Sequence, residues 1–182
     1  MIVKDYKGNE LMEILDVDEN SAMEQYAPVT HCLAVVMVGG DYLLGWNRWR
    51  KDWEIFGGCM EEGETMRECI TRECLEEIGL SDLSVAYIGL MHLKLMPDYF
   101  STECREEYGG LYGVKLQPDK LQEIERYRQD REEIGKIALL RDISTGERIA
   151  EIDKELLRNC RKISDATCAG YFFEDVCQKT QA

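Results

Sequence analysis

The sequence predicts an α/β fold with a C-terminal helical extension. Three observations carry this: apolar runs of strand length separated by turn residues, a run free of Gly and Pro from Glu64 to Ile78 apart from the Gly79 that ends it, and a last apolar stripe at helical spacing. With 182 residues the chain is long enough for one domain with a real core. Its 45% hydrophobic and 32% charged residues, with three prolines, exclude a disordered or collagen-like chain.

Met1 to Tyr6 and Leu11 to Asp16 read as strands joined in a hairpin across Lys7-Gly8-Asn9, a triplet that tolerates positive φ. Asp18 to Tyr26 is polar and reads as irregular. Pro28 to Val38 and Tyr42 to Trp46 flank Gly39-Gly40-Asp41 and predict a buried hairpin. Gly57 to Glu64 is a glycine-punctuated acidic loop that leads into the Glu64 to Ile78 helix. Leu83 to Leu95 and Leu111 to Leu116 read as strands, Pro118-Asp119 opens a helix to about Arg128, and Ile134 to Leu140 is a further strand. Ile149, Ile152, Leu156 and Ile163 then line one face of a helix from about Glu147 to Ile163. Residues 1–145 are expected to form the main domain with its N-terminal hairpin. Residues 146–182 are expected as an extension packed on that domain or buried in a homodimer interface.

A formal net charge of −14 repels phosphate backbones and excludes non-specific nucleic-acid binding. The one concentrated basic and aromatic patch is Trp46 to Trp53, which holds Arg48, Arg50 and Lys51. It either stacks a base and steers phosphates or closes the edge of the core with its cations in solvent. No apolar run approaches the roughly 20 residues that cross a bilayer, so no membrane span and no targeting peptide are expected. The eight cysteines include no Cys-x-x-Cys pair, which argues against a zinc site and for reduced thiols serving as small core residues in a cytoplasmic protein.

The chemistry concentrates in Gly57-Gly58-Cys59-Met60-Glu61-Glu62-Gly63-Glu64 and the helix after it. At about 100° per residue, Glu73, Glu76 and Glu77 fall within one arc of that helix. Carboxylates so placed repel one another, and a hard divalent cation is the natural compensation, because Mg²⁺ takes oxygen ligands from a few carboxylates and substrate phosphates. The paired glycines allow a backbone carbonyl to approach as a further ligand, and Arg72 can anchor a neighbouring carboxylate through a bidentate pair.

From Gly58 the pattern runs Gly, five residues, Glu64, seven residues, Arg72-Glu73, Cys74, one residue, Glu76-Glu77, one residue, Gly79-Leu80, and this resembles the Nudix box of the Nudix hydrolase family. Two positions depart from it: Cys74 stands where an aliphatic residue is usual, and Phe56 where many members have proline. The resemblance covers about Val29 to Arg141. It implies an α/β/α sandwich with a mixed sheet and hydrolysis of a diphosphate linked to another moiety, with Mg²⁺ or Mn²⁺ as cofactor. Carried onto this chain, it makes Glu73, Glu76, Glu77 and the Gly57 carbonyl metal ligands, and has Glu64 and Arg72 shape the loop and helix. The general base is Glu73 or an acid from a downstream loop, for which Glu132 or Glu133, and of the two Glu133, is the candidate beside a solvated charge run.

The expected substrate is a small nucleotide-type molecule such as ADP-ribose, a nucleotide sugar or a modified nucleoside triphosphate. Arg48, Arg50, Trp53 and Tyr112 are the candidate residues for binding it, and Tyr99, Phe100 and Tyr108 are further aromatics that either stack a base or fill the core. Some members of the family that cleave ADP-ribose carry a proline at a similar distance past the box, and the resemblance sets Pro97, 17 residues past Leu80, near that position. Two alternatives stay open: an isopentenyl-diphosphate-isomerase-like member of the family, and a Nudix module that senses a nucleotide without turnover.

Overall fold

The computed structural model describes residues 1–99 and 101–167. The N-terminal hairpin forms as expected from β1 (Val3–Lys4) and β2 (Glu10–Leu15). The next segment differs from expectation: Glu19–Gln25 is a helix, α1, capped by the Asp18 carboxylate, which accepts from the Ser21 N–H at 3.0 Å. Its polar sequence hides the helix because only one small residue, Ala22, is buried. Strands β3 (Val29–Val38) and β4 (Asp41–Asn47) form the predicted hairpin.

Two short strands then occupy what reads as loop in the sequence, β5 (Asp52–Glu54) and β6 (Phe56–Cys59). Pairing with β4 and β3 supplies their hydrogen bonds, so tertiary context overrides the glycines. The central helix α2 spans Met66–Ile78, two residues shorter at its start than expected. Thr65 and Glu68 build a reciprocal capping box there, and Gly79 ends the helix in the left-handed conformation. Strand β7 is Val85–Leu95, and β8, Arg105–Leu116, begins six residues before the predicted strand. Helix α3 (Lys120–Tyr127), strand β9 (Ile134–Leu139) and helix α4 (Glu151–Thr167) complete the described chain. Helix α4 starts later than its stripe suggests, because residues 148–150 run extended beside β5, with Trp53 N–H to Arg148 O and Ala150 N–H to Trp53 O both at 2.9 Å.

The strands form one mixed sheet in the order β1-β2-β7-β8-β3-β4-β5, with β6 on β3 and β9 on β4. Among the strands of the described residues only β3 and β8 pair in parallel. Alternation along β3 sends Cys32, Ala34 and Val36 to one face and Val35 to the other. The first face packs on Cys69, Ile70, Cys74 and Ile78 of α2 and on Ile124 of α3; the second packs on Leu156, Leu157 and Cys160 of α4. The result is the expected α/β/α sandwich; of the described stripe residues Leu156 is buried in the second cluster, and Ile149 and Ile152 pack partly buried against it. The side chain of Ile163 lies outside the described residues.

Cys32, Cys69, Cys74 and Cys160 serve as core residues, Cys59 and Cys104 are exposed, and all six are free thiols. Cys168 and Cys177 lie outside the described residues. No helix among the described residues is long and apolar enough to cross a membrane.

Candidate active site

The site lies where β6 feeds into α2. Gly57 has φ of +132°, and a Cβ there would stand 2.1 Å from the Cys32 carbonyl oxygen, so only glycine fits. Its N–H, turned out of the sheet, donates to Glu77 Oε2 at 2.7 Å. At Gly58 a Cβ would meet Glu73 Oε1 at 2.5 Å; the missing side chain is the space the Glu73 carboxylate occupies. The paired glycines thus bring two helix carboxylates against one stretch of backbone.

Arg72 organises the surrounding loop. Its Nε and Nη2 hold Glu64 at 2.9 and 3.1 Å, Nη1 holds Glu73 at 2.7 Å, and Nη2 also donates to the Cys59 carbonyl at 2.9 Å. Glu76 stands 3.7 Å from the same guanidinium. The bonds to Arg72 hold the Glu64 carboxyl below its usual range. Burial acts the other way on Glu73 and Glu77. The Glu73 carboxyl is raised by burial against the pull of Arg72. Glu77, 5% exposed, is pushed well above the carboxylate range by burial, with Glu73, Glu54 and Glu133 adding to the rise against the Gly57 N–H.

Glu133 enters from the loop before β9. The loop is anchored to the end of α2, where the Glu76 carbonyl accepts from Gln129 and Asp130 N–H, both at 2.8 Å. Asp130 Oδ1 caps the Glu132 and Glu133 amides, and the buried Arg128 donates to the carbonyls of Ile134 and Gly135. Glu133 Oε1 accepts from Asn47 Nδ2 at 2.8 Å, whereas Glu132 is exposed. Asn47, Glu54 and Asp153 are site neighbours that sequence reasoning missed. An Asn at a strand end and acids in a chain this acidic give no signal of their own.

Gly57, Glu64, Arg72, Glu73, Glu76, Glu77 and Glu133 therefore gather along one side of α2. Arg48 and Arg50 are exposed on the adjoining β4–β5 loop; Arg50 pairs with Glu54 at 2.9 Å, and Arg48 lies over Gly135. Two expected binding residues are not available. Trp53 is 2% exposed in the α4-side core, with Trp46 at its edge and Lys136 Nζ 4.8 Å from its ring centroid. Tyr112 is fully buried on the α2 side and donates its hydroxyl to Glu19 at 2.7 Å. Of the other aromatics, Tyr108 packs against the core and stacks on His92, Tyr99 is exposed, and Phe100 lies outside the described residues.

Among the described residues, no three His, Cys, Asp or Glu side chains already stand close enough to hold a metal ion. The donor set nevertheless fits a hard divalent cation. Glu77 is a buried carboxylate with Glu73, Glu54 and Glu133 around it, and oxygen ligands of this kind are what Mg²⁺ takes.

The Nudix domain model matches residues 27–160. The chain belongs to the Nudix family. No curated protein matches the chain by sequence. Among solved structures, this Nudix protein is similar to the Bacillus subtilis pyrophosphohydrolase BsRppH, with 19% identity, 90% of this chain and 96% of that one covered, and a TM-score of 0.61. It is similar to a mutT/nudix family protein from Listeria innocua, with 16% identity, coverage of 77% and 96%, and a TM-score of 0.56. The Nudix domain of Shewanella oneidensis NrtR, solved with ADP-ribose, gives 14% identity, coverage of 81% and 99%, and a TM-score of 0.55. At these identities the likeness is one of fold.

Proposed function

We propose that this Nudix protein hydrolyses the pyrophosphate bond of a small nucleotide-type diphosphate derivative with the help of a divalent cation. The observation that carries this reading is the meeting of Glu73 and Glu77 over Gly57-Gly58, with Glu133 approaching from the opposite loop. Glu73, Glu76, Glu77 and the Gly57 carbonyl would hold Mg²⁺ or Mn²⁺. Such an ion supplies neutralisation of phosphate charge and a more acidic bound water.

The chain's own residues do the rest. Arg72 fixes Glu64 and Glu73 so that neither wanders when the diphosphate arrives. Glu133, half-buried and outside the Arg72 cluster, accepts the proton of the attacking water. Arg48 offers the local positive charge that a −14 chain otherwise lacks for steering an anionic substrate, while Arg50 beside it is paired with Glu54. The likeness to BsRppH, a pyrophosphohydrolase, and to a Nudix domain crystallised with ADP-ribose supports this choice of substrate class.

The test is a phosphatase-coupled phosphate-release screen over ADP-ribose, UDP-glucose, 8-oxo-dGTP and isopentenyl diphosphate, with Mg²⁺, Mn²⁺ or EDTA. Turnover of a nucleotide that disappears with EDTA and falls by about 10³-fold or more in Glu77→Gln is the expected result. The Gln variant keeps an acceptor for the Gly57 N–H, so it folds. Full activity in that variant, or nucleotide binding with no turnover over hours, refutes the proposal.

A further inference from the structure

We infer that Asn47 is a positioning residue that sets the direction of the Glu133 carboxylate, an inference that rests on the proton-accepting role proposed for Glu133. The backbone around Glu133 is pinned on both sides. Its N–H donates to Asp130 Oδ1 at 3.0 Å, and its C=O accepts from the Arg48 N–H at 2.9 Å. Its side chain has a single hydrogen bond among the described residues, the one from Asn47 Nδ2 at 2.8 Å, and Oε2 makes none. That amide alone therefore chooses which oxygen is held and which is left to take a proton.

Asn47 suits the task because it is itself immobile and neutral. It is fully buried, and its two N–H groups are divided between Glu133 and Glu54 Oε1, the latter at 2.5 Å. Its Oδ1 accepts the amide hydrogens of Trp49 and Arg50, both at 2.9 Å. Glu54 is braced in turn by Arg50 at 2.9 Å. A cationic side chain in this place would form an ion pair with Glu133 and tie up its carboxylate. A hydroxyl would have one hydrogen to share between two carboxylates. An amide supplies one donor to each and leaves both charges in place.

Asn47→Asp keeps the oxygen that holds the Trp49 and Arg50 amides and removes both donors. Asn47→Ser is the second variant, should a buried Asp prevent folding. With the most rapidly cleaved compound of the panel above, kcat is expected to fall about 10- to 100-fold while KM moves by less than about threefold. In Asn47→Ser/Glu133→Gln the loss should equal that of Glu133→Gln alone, because both act through one carboxylate. A readout independent of turnover is the Asn47 side-chain amide in ¹⁵N-Asn-labelled protein. Both of its protons should be slow to exchange in the wild type, and the one directed at Glu133 should become fast in Glu133→Ala. Glu133→Gln impaired with both Asn47 variants at wild-type kcat overturns the inference and leaves the role of Glu133 standing, whereas an unimpaired Glu133→Gln overturns both. Losses that multiply in the double variant, or an Asn47 amide unmoved by Glu133→Ala, also overturn the inference.

Discussion

Replacing Asp153 by Asn should stabilise the protein, and by more as the pH rises. Asp153 sits in the first turn of α4 and accepts the Ile55 N–H at 2.9 Å. Burial raises its carboxyl from 3.8 to about 7, with Glu54 and Asp52 adding to the rise and Ile55 and Arg50 opposing it. A raised acid is protonated in the folded state while the unfolded chain is ionised. The folded form therefore keeps its full stability below about pH 4 and loses it as pH climbs through about 7. The whole shift corresponds to about 4 kcal/mol, or about 1.4 kcal/mol per pH unit in between. The residue retains some solvent exposure, so about half of that, on the order of 2 kcal/mol, is the expected effect. Asn keeps an oxygen for the Ile55 N–H and cannot ionise. Urea denaturation of both proteins from pH 5 to pH 8 should show the Asn variant gaining on the wild type over that range. A difference that stays constant with pH, or a wild type that gains on the variant, would refute the reasoning.

Gly57→Ala should destabilise the fold by about 2–4 kcal/mol, seen as a fall in Tm, because its Cβ would strike the Cys32 carbonyl at a φ that L-residues rarely adopt. Thr65→Ala removes the capping box of α2 and should cost about 1 kcal/mol by urea denaturation while leaving turnover within about twofold. Leu156→Ala opens a cavity on the α4 side of the sheet and should cost about 2–5 kcal/mol in the same measurement; a smaller loss would mean that α4 contributes little to the second core.

The strands and the main helix were legible because their signals are local. Gly39-Gly40 turns a chain whose flanks are apolar, and Gly79 stops a helix whose interior has no breaker. Elements whose stability comes from elsewhere were not legible. Helix α1 depends on an Asp cap and on Ala22 packing beneath it, and β5 and β6 exist only because β4 and β3 lie beside them. The site divides the same way. Glu64, Arg72, Glu73, Glu76 and Glu77 have spacings that one helix and its loop dictate. Asn47 and Asp153 come into place through pairings 86 and 98 residues apart in the chain, Asn47 with Glu133 and Asp153 with Ile55, and Glu54 is held beside Asn47. Trp53 and Tyr112 misled for a related reason. An aromatic on a strand points to either face, and only the register of β5 on β4 and β8 on β3 decides which.

The disposition of positive charge bears directly on how a diphosphate would be received. Arg72 is committed to Glu64, Glu73 and the Cys59 carbonyl, and Arg50 to Glu54, so both balance the protein's own groups. Glu77 and Glu133 have no ion-pair partner among the described residues, and burial makes the Glu77 charge costly to leave uncompensated. A doubly charged phosphate chain entering this space unaccompanied would add repulsion to an existing excess of negative charge. The same space accepts a phosphate chain readily once a divalent cation lies between the two sets of oxygens, since each then lowers the other's cost. On this reading, cation and nucleotide should bind with positive coupling. Isothermal titration with a non-hydrolysable ADP-ribose analogue is expected to show affinity at least about tenfold higher with Mg²⁺ than with EDTA. The gain should shrink to near onefold in Glu77→Gln, where the uncompensated charge is gone. An analogue that binds equally well with and without the cation would mean that the carboxylates at Gly57-Gly58 do not govern access to the site.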